Sequence, residues 1–348
     1  FENWAALNES LDKPLLNRAL RGTYPPGSTY KPFMGLAALE SGKRTPGYIT
    51  QDNGSWTFGG HTFRSHGDHG LGPVDMFRSI VLSSNVYYYQ LANDMGVDAI
   101  HDFMAPLGFG QITGIDLGGE VRGVLPSQAW KRNAYKRPEH RRWYAGETIS
   151  LGIGQGYNTF TMLQLAHATA TVANGGVAYR PHLGMFTTDV MTRERHPAVL
   201  EEPQNLGFKK ANVDVIKRAM VGVTQGGTGT RVFAGARYVS GGKTGTAQAV
   251  TIGQKDKYNS KKLEEHQRDH ALYIAFAPAD EPRIAVAVIV ENAGWGAGVA
   301  APIARRVFDY WLNGEYPSEE DLAAVRKGQA TAPIGKPRRV EDIPLTAP

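Results

Sequence analysis

The 348-residue chain contains no cysteine. That excludes a disulfide scaffold, a Cys-ligated zinc site and thiol catalysis. It also contains no apolar run near the roughly 20 residues that span a bilayer as a helix. The longest such run, Ile284 to Val290, has the length of a strand. No sign of charge dominates: 38 Lys and Arg oppose 33 Asp and Glu, a net of +5. That excess is too small and too scattered to argue for nucleic acid as a partner. Its densest stretch, Lys131-Arg132 through Arg141-Arg142, is interrupted by Glu139 and reads as a solvated face. There is no internal repeat, and the first residues lack the pattern of a secretory signal. A chain opening at Phe1 is expected to be a fragment or a processed product.

What is present is ordinary globular protein: 41% hydrophobic and 20% charged residues. With 41 Gly and 20 Pro, many turns are expected, and the composition argues against a simple helix bundle. Residues 1–24 read as a lead-in, and Tyr24-Pro25-Pro26-Gly27 as a turn. A helix is expected from Ser28 to Glu40, with Pro32 in its first turn and Gly42 as its stop. Residues 43–73 read as loop or short strands. Helices follow over 73–81, 85–95 (closed by Gly96), 159–174 and 212–224. Strands are expected over 238–250, 271–277 and 283–291, the last two joined as a hairpin by Pro278-Ala279-Asp280-Glu281-Pro282. A last helix covers 302–312, and the Pro-rich, charged tail after Gly314 is expected to be mobile. Helices first and strands late argue an α+β fold.

Three Ser-x-x-Lys tetrads occur, at Ser10–Lys13, Ser28–Lys31 and Ser240–Lys243, so the spacing alone says little. Ser28–Lys31 stands apart because it opens a helix directly after Pro-Pro-Gly. Three residues of helix put both side chains on one face, beside free N–H groups and a positive dipole end. That suits a serine that must become an alkoxide. Lys31 serves as its base only when neutral, which requires a pKa drop of roughly 3 units, about 4 kcal/mol. A second cation nearby would help, and Lys243 is the candidate. The plain alternative is a helix cap followed by a surface lysine. Ser83-Ser84-Asn85 falls at a break between helices, where short polar side chains can face a cleft or merely cap the next helix. Lys243-Thr244-Gly245-Thr246 lies on the first late strand. There Gly245 permits close approach of a ligand backbone, Lys243 and Thr244 can hold a carboxylate, and the Thr246 N–H can face an oxyanion. The plain reading of that segment is an edge-strand turn. All three motifs in this order make the functional reading the better one.

Ser-x-x-Lys, Ser-x-Asn and Lys-Thr-Gly in this order resemble the penicilloyl serine transferases, the penicillin-binding proteins and serine β-lactamases. Tyr24-Pro-Pro-Gly-Ser28-Thr-Tyr-Lys31-Pro, Gly152-Ile-Gly-Gln-Gly156, Arg268-Asp-His-Ala271 with Phe276-Ala-Pro278, and Glu291-Asn-Ala-Gly-Trp-Gly296 are similar to the penicillin-binding protein 2 branch of the class B transpeptidases. The resemblance covers residues 15–313. The doubled proline before Gly27 favours the elongation branch over the division branch.

The resemblance implies an antiparallel sheet flanked by helices, an all-helical subdomain within about 43–235, and a site in the cleft between them. It implies peptidoglycan D,D-transpeptidation through an acyl-enzyme. Ser28 is then the nucleophile, Lys31 its base and Ser83 the proton relay to the leaving D-alanine. Asn85 holds the substrate amide, Lys243, Thr244 and Gly245 line the carboxylate site, and the N–H groups of Ser28 and Thr246 form the oxyanion hole. Implied partners are stem peptides ending in D-Ala-D-Ala, β-lactams, and the membrane glycan polymerase of the elongation machinery. The implied location is the periplasmic face of the inner membrane, with an anchor, a pedestal domain and the first sheet hairpin upstream of Phe1. No cofactor is implied. Only three sheet strands are evident, against five in the family, and Met162 stands where the family often has proline.

Two rival activities use the same serine: a β-lactamase and a β-lactam receptor. The first needs a base for water. Glu147 is the candidate, without the Glu-x-x-Leu-Asn pattern of the best-known class. One further cluster, Asp52, His61, His66, Asp68 and His69, crowds a Gly-rich loop. Its His and Asp side chains can ligate metal, although a solvated loop is the plainer reading.

Overall fold

A computed structural model describes residues 2–65, 69–248, 264–329, 331–339 and 341. It is an α+β fold, as expected. The expected helix at Ser28 is two elements. A 3-10 turn, Gly27–Tyr30, runs into helix α1, Lys31–Glu40. Every residue of α1 from Lys31 to Leu39 is buried, so α1 is a central helix rather than an amphipathic surface one. Around its start Tyr30, Phe33, Phe109 and Phe160 pack with ring centroids 4.7–6.5 Å apart.

The stretch read as loop or short strands holds a hairpin of β1, Ser55–Phe58, and β2, His61–Arg64. Pro73 does not open the next helix. It lies in the short strand Gly72–Val74, which pairs with Thr50–Asp52. Helix α2, Met76–Val81, begins after Asp75, whose carboxylate accepts from the Arg78 N–H. An N-cap carboxylate outweighs a helix-compatible proline. Helix α3, Asn85–Met95, ends at Gly96 as expected. Helix α4, Ala145–Leu151, follows.

Helix α5, Met162–Ala173, starts later than 159, because a Thr161–Gln164 capping box fixes it. Thr159 and Phe160 instead bridge to Val124 and Tyr24. Helix α6, Lys210–Gly226, is longer than expected at both ends. The sheet is β3, Gly241–Ala247, then β4, His270–Ala277, and β5, Ile284–Val290, antiparallel in the order β5-β4-β3. Residues 249, 250 and 251–263 lie outside the described residues, so the far end of the strand expected to reach Val250 does too.

Strand β4 is buried on both faces. Leu272, Ile274 and Phe276 join the main core with α1 and α6. Ala271, Tyr273, Ala275 and Ala277 join a second core beneath helix α7, Ala300–Asn313. This is the period-two alternation of a strand between two helical layers. The stretch after Gly314 is more structured than its composition suggests. It carries helix α8, Glu319–Arg326, and a short pairing of Glu315–Tyr316 with Arg338–Arg339. Among the described residues no helix is long and apolar enough to cross a membrane.

Candidate active site

The three motifs meet at one cavity of about 710 Å³, whose walls include Ser28, Ser83, Asn85, Thr244, Gly245 and Thr246. Ser28 stands in the 3-10 turn, part exposed to the cavity. That turn is held mainly by backbone: Gly27 takes φ +54°, its N–H donates to the Gly154 carbonyl at 3.0 Å, and the Thr29 hydroxyl donates to the Pro26 carbonyl at 2.6 Å. A Cβ at Gly27 would lie 2.5 Å from the Thr246 carbonyl oxygen. The turn that carries Ser28 and the Lys-Thr-Gly strand can approach this closely only because position 27 has no side chain.

Beneath the cavity lie two fully buried lysines. Lys31 Nζ donates to the Ser83 carbonyl at 2.7 Å and to Asn85 Oδ1 at 2.7 Å, and lies 3.1 Å from Ser83 Oγ. Lys243 Nζ reaches the same Ser83 Oγ at 2.9 Å and the Thr244 carbonyl at 3.0 Å. One hydroxyl thus bridges both amines. Burial pushes the Lys31 ammonium well below its ordinary pKa, and the charge of Lys243 pushes the same way against the opposing pull of Asp52. Burial also lowers Lys243, to about 7. Ser83 can stand between them because it takes φ +59°, uncommon for a residue with a Cβ. Its neighbour Ser84 caps α3 and donates to Asp52 Oδ2 at 2.5 Å.

Asp52 is therefore committed. Its other oxygen accepts from the Gly54 N–H at 2.8 Å, and it supports the Ser83 corner from below. Of its companions in the proposed metal cluster, His66 and Asp68 lie outside the described residues, and His69 lines the cavity. Among the described residues no three His, Asp or Glu side chains come together as a metal site. The rest of the wall comes from outside the three motifs: His61 was a candidate metal ligand, Gln155, Trp295 and Gly296 fall in stretches that carry the resemblance, and Phe63 and Arg64 had no reading. The β1–β2 hairpin contributes His61, Phe63 and Arg64, the turn after β5 contributes Trp295 and Gly296, and Gln155 donates to the Thr246 carbonyl at 3.3 Å. The Gly-rich motifs around 154 and 296 were the available signal for the last two.

Two readings change, one of a surface residue and one of a candidate base. Lys131 is buried rather than solvated: it is paired with Glu147 and set among the rings of Trp143, Tyr144 and Tyr157 at 5.4–5.5 Å. A cation held between aromatic faces and a carboxylate tolerates burial. Glu147, the candidate base for water, is spent in that pair. It also accepts from the Tyr144 N–H at 2.9 Å and the Tyr157 hydroxyl at 3.0 Å, and it is absent from the cavity wall.

A family model described as the penicillin binding protein transpeptidase domain matches residues 3–309. The peptidoglycan D,D-transpeptidase MrdA of Haemophilus influenzae is 41% identical over 323 residues, 92% of this chain and 49% of that protein. The chain thus spans about half the length of the curated relatives it matches. The crystal structure of Pseudomonas aeruginosa PBP2 in complex with WCK 5153 superposes with a TM-score of 0.78 at 41% identity, over 90% of this chain and 66% of that one. A chain from a peptidoglycan synthase complex that coordinates polymerization and crosslinking superposes at 0.75 with 32% identity, over 91% and 51%.

Proposed function

Because the chain belongs to the penicillin-binding protein transpeptidase family, we propose that it cross-links peptidoglycan stem peptides during cell elongation, through an acyl-enzyme on Ser28. The observation that carries this reading is the single hydroxyl of Ser83 lying 3.1 and 2.9 Å from two buried lysine amines under the Ser28 cavity.

A neutral Lys31 amine has two N–H groups, and the Ser83 carbonyl and Asn85 Oδ1 accept both. Its lone pair is then left for a hydroxyl proton. Ser28 Oγ loses its proton to Lys31 and attacks the penultimate D-alanine carbonyl. The N–H groups of Ser28 and Thr246 receive the oxyanion, a contribution of about 10²–10³ in rate for one such donor. The proton passes by Ser83 to the departing D-alanine amine. Lys243 and Thr244 hold the terminal carboxylate, with Thr244 Oγ1 fixed by Thr228 Oγ1 at 2.8 Å. An acceptor amine of a second stem peptide then displaces Ser28, returning its proton by the same relay. β-Lactams enter as mimics of the D-Ala-D-Ala end. On this reading the reaction runs at the periplasmic face of the inner membrane, beside the glycan polymerase of the elongation machinery. The sequestered Glu147 disfavours the β-lactamase alternative, since that activity needs a base for water.

The test is intact mass over hours after penicillin is added, on the protein and on Ser28→Ala. A lasting adduct on the unaltered protein alone is expected. An adduct gone in seconds, with the drug consumed, would replace this reading with a β-lactamase. An equal adduct on Ser28→Ala would remove Ser28 as nucleophile.

A further inference from the structure

The turn after β5 carries Trp295, Gly296 and Ala297 to the cavity wall. It is pinned to the start of β4 at three points. Asn292 Nδ2 donates to the Arg268 carbonyl at 3.0 Å, and the Gly294 N–H donates to the Asp269 carbonyl at 2.8 Å. The Asn292 N–H donates to His270 Nδ1 at 3.0 Å. Two of these acceptors are permanent carbonyls. The third is a ring nitrogen, which accepts only while unprotonated. Asn292 itself takes φ +57°, so the turn leaves β5 through a corner that this bond must hold.

The same imidazole touches the approach to the nucleophile. Tyr24, four residues before Ser28, meets His270 edge-on at 5.6 Å. The Tyr24 hydroxyl donates to Glu291 Oε1 at 2.6 Å, and Arg18 Nε donates to Glu291 Oε2 at 2.9 Å. His270 also pairs across the sheet with Ala247, at the end of the Lys-Thr-Gly strand. Further along the turn, Gly296 lies so close to the sheet that a Cβ there would be 2.2 Å from the Leu272 carbonyl and 2.4 Å from that of Gly245. The ring therefore sits where the nucleophile lead-in, the carboxylate-holding strand and the Trp295 turn converge.

We propose that His270 is a positioning residue for the transpeptidation reaction, its neutral Nδ1 fixing the Trp295 turn as the cavity wall beside Thr246. The proposal rests on the D,D-transpeptidase reading for its kinetic consequence but not for its structural one. The charged and titratable groups facing the ring, among the described residues, are Glu291 and, through it, Arg18, with Tyr24 from the lead-in and Arg268 and Asp269 from its own segment. Burial keeps the ring neutral more strongly than Glu291 favours its charge. At neutral pH the ring therefore accepts. Proton uptake would set N–H against N–H and release Asn292.

The test compares His270→Asn with His270→Gln. Asn can place an oxygen where Nδ1 stands, whereas the longer Gln side chain cannot do so without displacing the turn. Acylation by penicillin at pH 7.5 is read as separate binding and bond-forming constants. His270→Asn should stay within about twofold of the unaltered protein. His270→Gln should bind about tenfold more weakly, the size of one lost hydrogen bond, with the bond-forming constant changed less. Equal constants for both variants, or for both and the unaltered protein, would overturn the proposal. Hydrogen exchange of the unaltered protein needs no variant and no activity. After correction for intrinsic rates, amides 292–297 should lose protection between pH 7.5 and 5, while His270→Asn keeps it. Unchanged protection in the unaltered protein would equally overturn the proposal. Absence of any acylation would bear on the proposed function and leave the exchange result to decide this one.

Discussion

Ser83 shows what a residue's name leaves out. Ser83-Ser84-Asn85 marks a helix boundary in the sequence, but nothing in it announces a serine at φ +59° between two amines. That geometry dictates a pH dependence. In the proposed mechanism Lys31 acts as a base only when neutral, so protonation below its lowered pKa would stop attack. In the same mechanism Lys243 holds a carboxylate only when charged, so deprotonation near pH 7 would weaken binding. Burial and the charge of Lys243 both lower Lys31, against the opposing pull of Asp52. The second-order acylation constant is therefore expected to be bell-shaped. Its acid limb belongs mainly to Lys31 and its alkaline limb, near 7, mainly to Lys243, although the two apparent values belong to the coupled pair. Stopped-flow acylation from pH 5 to 9 measures it. A profile that keeps rising through pH 9 would mean that Lys243 need not be charged.

At the scale of elements, what could be read from the sequence followed the strength of local signals. Helix α3 ends at Gly96, and the β4–β5 hairpin was evident because two apolar runs flank a Pro-rich turn. The start of α2 was misplaced because Asp75, a stronger signal than Pro73, was passed over. The β1–β2 hairpin at the cavity wall was left as loop or short strands because its strands are only four residues each, although Gly59-Gly60, both at positive φ, is a two-residue hairpin signal. Close backbone contact between distant segments carries no sequence pattern beyond glycine. Gly154 illustrates this: it takes φ +71°, and a Cβ there would lie 2.2 Å from the Gly27 carbonyl oxygen. Gly154→Ala must therefore push back the turn that carries Ser28. It is expected to cost about 2–4 kcal/mol, from left-handed strain plus overpacking, and to slow acylation of the protein that remains folded. Gly146→Ala is the control. It lies inside α4 with open space at its Cβ and should be neutral or stabilising by up to about 1 kcal/mol. Urea melts with acylation measured in parallel separate the two effects, and equal stability of both variants would contradict the contact argument.

For the whole molecule, the β5-β4-β3 sheet is covered on one face by α7, and α7 is held in turn by the segment after Gly314. Composition made that segment look mobile, because a chain rich in proline and charge has little apolar surface to bury. What orders it is a set of specific polar contacts, which composition cannot register: a short strand pairing, ion pairs of Glu315 with Arg237 and of Glu319 with Arg338, and the most buried pair, Arg306 with Asp321. Arg306 meets both oxygens of Asp321, at 2.9 and 2.5 Å, and donates also to the carbonyls of Pro302 and Thr331. The Asp321 side chain is 1% exposed and that of Arg306 14%. Removing one partner of such a pair leaves a charge nearly buried and uncompensated, a loss of about 3 kcal/mol. Asp321→Ala should thus lower the melting temperature and release α8 to proteolysis. Replacing both partners with apolar residues should recover part of the loss, since no orphaned charge remains. The Ser28 cavity draws none of its walls from α7 or α8. Acylation measured well below the melting temperature should therefore stay within about twofold in both variants. If Asp321→Ala slowed acylation tenfold while remaining folded, the C-terminal segment would have to act on the sheet through α7, and its role would be functional rather than a matter of stability.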